Sequence, residues 1–378
     1  MALLALTHDC GRAASPPTQP ALSNHESVVA PASNSPSGAN LDWIKVGRSQ
    51  KGFVAERSGR KFIPWGFNYD RDYKMRLIED YWDVEWRTVM QDFREMKNLG
   101  ANVVRLHLSF GKFMDGPDQP NQKALERMAL LVKLAEETGL YLDVTGLGCY
   151  RKADIPGWYD AMSETERWQA QSRFWEALAR CCRSSPAIFC YDLMNEPIVP
   201  QAQRPPKDWM AGELAGYSYV QFISLDQAGR PRPEIARQWI AQLVSAIRRQ
   251  DSRHLVTVGL LPNSLETPVS ASGFPPQKIA EKLDFICVHI YPKSGKLNED
   301  LKLLRGFRAG KPVVIEEIFP LDCQMAELRQ FLERSRKGAS GWITFYWGQT
   351  PEELSQLRTP AAALMRASLE LFRELNPN

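Results

Sequence analysis

The chain has 378 residues, 44% of them hydrophobic and 24% charged, which is the composition of an ordinary globular protein. This length suits one α/β barrel with enlarged loops or two smaller domains. The net charge of +3 is too small to indicate a nucleic-acid or membrane partner, and no run approaches the roughly 20 apolar residues of a membrane span. Seven cysteines without a CxxC pair and five scattered histidines indicate neither a disulfide framework nor a metal site.

The first 40 residues differ in composition from the rest of the chain. They begin with the short apolar stretch MALLALTHDC and continue in Ser, Pro and Ala with almost no large apolar residue, which predicts disorder. The apolar stretch is shorter than a normal signal sequence and lacks a basic start. A remnant export signal, with a secreted or cell-envelope location, is therefore one hypothesis, and an extension without function is the other.

From residue 41 onward, strand and helix patterns alternate. A small β-hairpin region with a turn at Ser58–Gly59 comes first. Eight apolar runs follow, and their near-continuous hydrophobicity is typical of parallel strands covered on both faces. These predicted strands are residues 62–68, 101–110, 140–148, 187–194, 254–260, 284–292, 311–319 and 341–347.

Helical patterns lie between most of these strands. One carries Trp86, Val89, Phe93 and Met96 at helical spacing, and a Pro-rich and aromatic-rich excursion (197–232) follows the fourth strand. Eight βα units in roughly 320 residues favour a (β/α)8 TIM barrel over an open doubly wound sheet. The first βα turn has no GxGxxG or P-loop, which argues against nucleotide binding.

Polar residues gather at the predicted C-terminal ends of the strands, which is where a TIM barrel places its functional groups. They are Asn68, Arg105, His107, Asn195, Glu196, His289, Tyr291, Glu316, Glu317 and Trp347. Carboxylates accompanied by His, Tyr and Trp at several strand ends favour an active-site cleft over a chance cluster.

The segments GFNY, NVVRLHL, YDLMNEP, VHIYP, KPVVIEE and FYW follow one another in this order. Together they resemble glycoside hydrolase family 5, the cellulase family, over the chain from about residue 41 to its end. NEP alone is moderately specific, whereas its combination with HxY on strand 6 and a glutamate on strand 7 is a strong signal. The resemblance implies a retaining enzyme whose acid and nucleophile end strands 4 and 7.

Carried over residue by residue, the resemblance implies Glu196 as the general acid/base and Glu317 as the nucleophile. Asn195 would hydrogen-bond the sugar 2-hydroxyl. Further substrate-site residues are then expected: Arg105 and Tyr291 holding the nucleophile, His289 lining the same subsite, Trp347 as the stacking floor, and Asn68 and His107 at neighbouring strand ends. Weaker candidates for outer sugar subsites are Trp65, Trp158, Tyr159, Trp209, Tyr217 and Tyr219.

The chemistry of glycoside cleavage supports the same pair of glutamates. Cleavage with retention uses one carboxyl group as acid and one carboxylate as nucleophile, roughly 5–5.5 Å apart. Donors such as Arg105 and Tyr291 stabilise the charged form of the nucleophile. Two glutamates on separate strands across a narrow barrel mouth can meet that distance.

Two positions depart from the family pattern. Strand 7 has two successive glutamates where the family usually has Gly-Glu-aromatic, and successive strand residues face opposite ways. We therefore expect Glu317 at the mouth and Glu316 paired behind the barrel. Strand 3 lacks the usual histidine, so we expect His107 to fill part of its place and Asp143 to lie inside the barrel or cap it.

These observations predict a tail at residues 1–40 and one barrel domain at residues 41–378. We expect a monomer that hydrolyses a β-linked glucan, mannan or related oligo- or polysaccharide with retention, without metal or cofactor. One alternative is a carbohydrate-binding barrel that has lost hydrolysis. Another is an aldolase-like barrel, which is disfavoured because Lys311 begins its strand. The pattern leaves endo and exo action open, since residues 197–232 could wall off one end of the cleft.

Overall fold

The computed structural model describes residues 41–69, 72–214, 216–265 and 269–378, so the predicted disordered tail lies outside the described residues. Eight parallel strands close into a barrel, which confirms the predicted TIM fold. The strands are β1 (Trp65–Tyr69), β2 (Val103–Ser109), β3 (Tyr141–Gly148), β4 (Ile188–Asn195), β5 (Leu255–Leu260), β6 (Ile286–His289), β7 (Val313–Glu317) and β8 (Gly341–Thr344).

Helices between the strands cover the outside of the barrel. They are α1 (Trp86–Asn98), α2 (Gln122–Thr138), α3 (Glu164–Cys182), α4 (Arg232–Arg248), α5 (Pro276–Ile279), α6 (Leu297–Gly306), α7 (Met325–Ser335) and α8 (Pro360–Glu374). Shorter helices at 110–113, 157–160 and 351–356 and single 3-10 turns occupy loops. In the described part of the chain, we find no helix with the length and apolar character that crossing a bilayer requires.

Local sequence signals set several of these boundaries. Asn121 caps α2 by accepting a hydrogen bond from the Ala124 N–H at 2.8 Å, and Gly139 ends that helix with φ +67°. Ser163 and Glu166 form a reciprocal capping box at the start of α3. The helices therefore begin and end where short polar or glycine residues satisfy the free backbone groups.

The N-terminal region closes the base of the barrel. The predicted hairpin is a three-stranded antiparallel sheet, formed by Ile44–Val46, Phe53–Ala55 and Lys61–Phe62. Phe53 packs edge-on against Phe189 and Phe285, each with ring centroids 5.1 Å away. Because apolar rings fill the base, the polar interior of the barrel is confined to its opposite, C-terminal end.

The excursion after β4 contains structure of its own. Met210–Leu214 pairs antiparallel with Tyr217–Phe222, and the latter pairs parallel with Pro197–Ile198. We call the pair Met210–Leu214 and Tyr217–Phe222 the β4–α4 hairpin. Gln221 anchors it by donating from Nε2 to the carbonyl of Leu147 at 2.8 Å. The hairpin therefore lies over the ends of β3 and β4, at the functional face.

Candidate active site

Arg105, at the middle of β2, is fully buried and joins the strands around the barrel interior. Its Nη1 donates to Glu317 Oε1 at 2.6 Å and to Asn68 Oδ1 at 2.9 Å. Its remaining bonds, each 2.9 Å long, go to Asp192 Oδ2, Asn195 Oδ1 and Thr145 Oγ1. A rigid guanidinium with its donors paired in this way fixes the positions of carboxylates on several strands at once.

Two carboxylates face each other at the mouth, Glu196 after β4 and Glu317 at the end of β7. One carboxylate oxygen of Glu196, one ring nitrogen of His289 and one carboxylate oxygen of Glu317 all lie within 4.8 Å of one another. The Tyr291 hydroxyl donates to Glu317 Oε2 at 2.6 Å, so both oxygens of this carboxylate have a donor. The structure thus brings together the predicted acid, the predicted nucleophile and the two residues expected to hold the nucleophile.

The backbone at Glu196 directs its side chain into the mouth. Its φ is +48°, in the left-handed region that a non-glycine residue adopts at some energetic cost, and its N–H donates to the carbonyl of Gly259 at 3.0 Å. The chain therefore leaves the β4 direction at this residue. Backbone strain of this kind is common where a functional side chain must be aimed.

His289 is a buried cation between the acidic groups. Its Nδ1 contacts Glu196 Oε1 at 2.8 Å and Glu317 Oε2 at 3.5 Å, and its Nε2 contacts Glu316 Oε2 at 3.4 Å. Burial alone would lower the pKa of this imidazole, but the surrounding carboxylates outweigh burial and raise the pKa to about 10. The ring is therefore protonated at neutral pH and donates from both nitrogens.

Glu316 corrects one prediction, because it lies inside the barrel and not behind it. It is fully buried, with Oε2 at 3.5 Å from Arg105 Nη2. Although burial raises its pKa, the charge of Arg105 and the bond from His289 lower the pKa to about 2. The pairing of β6 with β7 shifts register at His289, which pairs with Glu317. This irregularity breaks the strict alternation, so both glutamates turn inward, one below the other.

Gly259 on β5 makes room for this buried cluster. A Cβ at this position would lie 3.1 Å from Glu316 Oε2, 3.1 Å from His289 Nε2 and 3.2 Å from Arg105 Nη2. Its N–H donates to Asp192 Oδ1 at 2.7 Å. A side chain on β5 would therefore press on all three charged groups.

Asp143 lies in the barrel interior, as expected, on the side away from the mouth. Its Oδ1 accepts from the Cys190 thiol at 3.0 Å. Complete burial and the nearby charges of Glu316 and Asp192 raise its pKa well above the ordinary value. Asp143 is thus a buried acidic group that lies below the two carboxylates of the mouth.

Trp347 is a second correction, since its indole is not a sugar platform. Only 1% of the residue is exposed, and its ring packs against Phe67 in the outer hydrophobic layer. Phe345, two residues earlier, has its ring 6.4 Å from that of Tyr291, whose hydroxyl bonds the nucleophile. Trp347 follows β8, and alternation along so short a strand could not show that this side chain turns into the core.

Asn68 and His107 lie below the carboxylate pair, and their polar atoms are engaged within the protein. Asn68 Nδ2 donates to the carbonyls of Glu316 and Thr344, at 2.9 and 3.2 Å. His107 Nδ1 shares a 2.7 Å bond with the Tyr150 hydroxyl, and its Nε2 lies 3.3 Å from Asn68 Oδ1. Direct contact of Asn68 and His107 with substrate stays a prediction. That His107 fills part of the place of the missing strand-3 histidine also stays a prediction.

The weaker aromatic candidates separate by burial. Trp158 is half-buried and packs against the core, and its place in a sugar subsite stays a prediction. Trp65, Tyr159 and Trp209 are at most 1% exposed and belong to the packed core, so their assignment to sugar subsites was wrong. Tyr217 and Tyr219 lie on the β4–α4 hairpin beside the mouth. Sequence reasoning missed Asp192, because strict alternation places it on the face opposite to Asn195, and only the register shift between β4 and β5 brings both inward.

The groups that could offer metal ligands are the two carboxylates at the mouth and the histidine between them. Glu196, His289 and Glu317 form a cluster of suitable spacing. In this arrangement Arg105 and Tyr291 already donate to Glu317, and the protonated His289 donates to Glu196. These contacts are therefore those of carboxyl groups that are hydrogen-bonded to neighbouring cations and to a hydroxyl group.

A (β/α)8 barrel with two close carboxylates at the ends of β4 and β7 is an architecture of glycoside hydrolases, and a separation under about 5.5 Å is that of retaining ones. The chain belongs to the cellulase family, glycoside hydrolase family 5, whose family model matches residues 67–319. The family resemblance of the sequence motifs is thereby confirmed.

Several similar proteins are described as acting on mannosides. Mannan endo-1,4-β-mannosidase A of Podospora anserina is 25% identical over 276 residues, which is 65% of this chain and 64% of that protein. The exo-β-1,4-mannosidase Op5Man5 of Opitutaceae bacterium strain TAV5 superposes with a TM-score of 0.64 at 18% identity, covering 87% of this chain and 61% of that one. This chain therefore spans less than two thirds of both.

A third similar protein, known as a solved structure, is the endo-1,4-β-mannanase of Rhizomucor miehei. Its TM-score is 0.58 at 18% identity, and the match covers 81% of this chain and 90% of that one. At these identities, the solved structures establish the shared fold.

Proposed function

We propose that the protein is a retaining β-glycosidase that cleaves β-mannosidic bonds by double displacement. The observation that carries the proposal is the pair Glu196 and Glu317. A carboxylate oxygen of one lies within 4.8 Å of a carboxylate oxygen of the other, and both oxygens of Glu317 accept hydrogen bonds. This spacing suits direct attack on the sugar, since an inverting pair needs roughly 6.5–9.5 Å to admit a water.

In the first step, an oxygen of Glu317 attacks the anomeric carbon while Glu196 delivers its proton to the leaving glycosidic oxygen. The C1–O bond breaks, the aglycone leaves as an alcohol, and a glycosyl ester of Glu317 forms. In the second step, Glu196 accepts a proton from water, the water oxygen attacks C1, and Glu317 leaves as a carboxylate. Two inversions at C1 give net retention.

The neighbouring residues orient these two groups. Arg105 and Tyr291 hold the two oxygens of Glu317, and His289 holds Glu196 Oε1. Asn195 uses one N–H on the Tyr219 carbonyl at 3.0 Å and has a second N–H for the sugar 2-hydroxyl. We assign the sugar platform to Phe345 in place of Trp347.

The choice of mannosides rests on the similar proteins. The curated relative and the solved structures named above carry mannosidase or mannanase descriptions. Within a cellulase-family site, this favours an axial 2-hydroxyl at the cleavage point over the equatorial one of a glucoside.

The test compares 2,4-dinitrophenyl β-mannoside with the matching β-glucoside and follows the anomer first formed by NMR. Turnover of the mannoside with retention is expected, and Glu196→Gln and Glu317→Gln should each lose at least about 10³-fold in kcat on a natural glycan. Glu281→Gln, on the surface, is the matched control. Binding of mannan without turnover by the wild type would instead identify a carbohydrate-binding barrel.

The assignment of the nucleophile has its own experiment. A 2-deoxy-2-fluoro-β-mannosyl fluoride should trap the glycosyl ester, and peptide mass spectrometry should find the label on Glu317. A label on Glu316 would show that the deeper glutamate attacks, and the proposed roles would then be wrong.

A further inference from the structure

We propose that the mouth of this barrel is a pocket closed at one end, which removes single sugars from the non-reducing end of β-linked oligosaccharides. The proposal rests on the proposed glycosidase function and adds the mode of action to it. The observation that carries it is a bridge between two loops that start from β1 and β4.

The bridge joins the β4–α4 hairpin to the loop after β1. The hydroxyl of Tyr217 donates to the backbone carbonyl of Met75. In the barrel, β1 and β4 are separated by β2 and β3, so this contact passes over the ends of those two strands. A glycan that entered between the loops would have to break it.

Both sides of the bridge are held in place. On the β1 side, Asp72 Oδ1 accepts from the N–H groups of Lys74 and Arg76, each at 2.9 Å, and Met75 has φ +61°. This Asx-type turn aims the Met75 carbonyl at the hairpin. The loop is therefore a built turn against which the hairpin docks.

The hairpin side is fastened to the ends of β3 and β4. The N–H of Ser218 donates to the carbonyl of Tyr150 at 2.7 Å, and Asn195 Nδ2 donates to the carbonyl of Tyr219 at 3.0 Å. Asn195 is itself bonded to Arg105. The wall is thus continuous with the polar network that positions the nucleophile.

Side chains fill the space beneath the bridge. Leu77, Tyr150 and Tyr217 form a buried cluster with exposures of 3%, 2% and 5%, packed against Met75 and Tyr219. The rings of Tyr217 and Tyr219 stack with centroids 6.1 Å apart, and Tyr150 lies 5.7 Å from Tyr219. Tyr150 and Tyr217 therefore fill the wall, whereas Tyr219 is half-buried beside them.

The wall stands on the side of the non-reducing end. Asn195 is assigned to the sugar 2-hydroxyl, so C2 of the bound sugar lies toward the hairpin, and C3 and C4 continue in that direction. The leaving group departs on the opposite side of C1. A further sugar linked through O4 would meet the Tyr150–Tyr217–Tyr219 cluster, whereas the aglycone meets no part of this wall.

Analysis of the products formed by the wild-type enzyme tests the proposal directly. The substrate is a β-1,4-manno-oligosaccharide of six sugars with a fluorescent reducing-end label, and the products are followed at below about 10% conversion. Release of mannose, with the labelled chain one sugar shorter, is expected. Early labelled products of mixed length would overturn the closed pocket and leave the glycosidase function standing. No turnover of either the labelled oligosaccharide or the aryl β-glycosides would overturn the function, and this proposal with it.

A variant tests the wall itself. Tyr217→Ala should remove the bridge and raise the share of internal cleavage at least about tenfold, with thermal melting recorded alongside. Tyr217→Phe, which keeps the ring and loses only the bond to Met75, should give a smaller change in the same direction. Tyr141→Phe, at the base of the barrel, is the matched control and should keep the wild-type product pattern. An unchanged pattern in a folded Tyr217→Ala protein would show that the wall does not set the mode of cleavage.

Discussion

Arg105 on β2 donates to the Glu317 carboxylate on β7 across the barrel, with 2.6 Å between Nη1 and Oε1. The guanidinium is fully buried and also bonds Asp192 at 2.9 Å. Removing charges from water is costly, and such a network is stable only when every donor is used. Arg105 therefore links the stability of the barrel to the position of the nucleophile.

Arg105→Lys should lower both stability and activity. A lysine ammonium offers three donors without the planar fork, so several buried acceptors would lose their partner. We expect the free energy of unfolding to fall by about 3–5 kcal/mol in urea titrations, with kcat/KM falling as well. Arg173→Lys, in a surface ion pair with Glu176, should change stability by less than about 0.5 kcal/mol. Equal effects of the two substitutions would contradict the role of Arg105.

Tyr291→Phe should slow the reaction while leaving the fold intact. It removes the donor to Glu317 Oε2, and a hydrogen bond to a charged group contributes about 1.5–3 kcal/mol. The expected loss is roughly 10- to 150-fold in kcat/KM. Tyr141→Phe removes a comparable hydroxyl bond, to the Asp42 carbonyl at 2.8 Å, far from the mouth. Full activity is expected for this control, and wild-type activity of Tyr291→Phe would disprove the contact's importance.

Alkaline pH should destabilise the protein through His289. Its pKa is raised from the ordinary value of 6.5 to about 10, because its carboxylate partners outweigh burial. A raised pKa contributes stability that is fully present below 6.5 and is lost as the pH rises through about 10. The urea concentration at the unfolding midpoint should therefore decrease as the pH is raised from 7 to 10.5. The decrease should be about the same at high salt, because buried ion pairs are weakly screened. His289→Gln should flatten this dependence, and an unchanged slope in that variant would assign it to other groups.

The two aromatic residues of the β8 end should respond differently to truncation. Phe345→Ala should raise KM for glycosides, because its ring lies beside Tyr291, and it should also lower the free energy of unfolding, because the residue is only 7% exposed. Trp347→Ala should lower the free energy of unfolding by about 3–5 kcal/mol, as expected for a buried indole. Kinetics at 15 °C and urea titrations separate the two effects. A KM increase confined to Trp347→Ala would restore the tryptophan as the sugar platform.

Gly259→Ala should disturb the buried charges from below. The added methyl would stand 3.1–3.2 Å from Glu316, His289 and Arg105, and these groups are bonded on their other sides. Overpacking of this kind costs about 1–3 kcal/mol, and kcat should fall with it. Gly157→Ala is the matched control, since no atom lies within 4 Å of the methyl there. A neutral Gly259→Ala would mean that the cluster can shift without consequence.

The sequence by itself determined the barrel and the order of its eight strands. This succeeded because buried parallel strands need continuous apolar runs, and helix limits follow local caps such as Ser163 and Gly139. The motifs around Glu196 and Glu317 were also sufficient to place the chain in its family. All of these signals lie within short stretches of the chain.

Only the tertiary structure decided where individual side chains point at the mouth. The register shift beside His289 turned Glu316 inward, against strict alternation, and just after β8 the Trp347 ring packs against Phe67 while the Phe345 ring lies beside Tyr291. The contact between Tyr217 and Met75 joins loops 142 residues apart in the chain. Such contacts depend on the closure of the whole barrel, since no local preference of either segment specifies its partner.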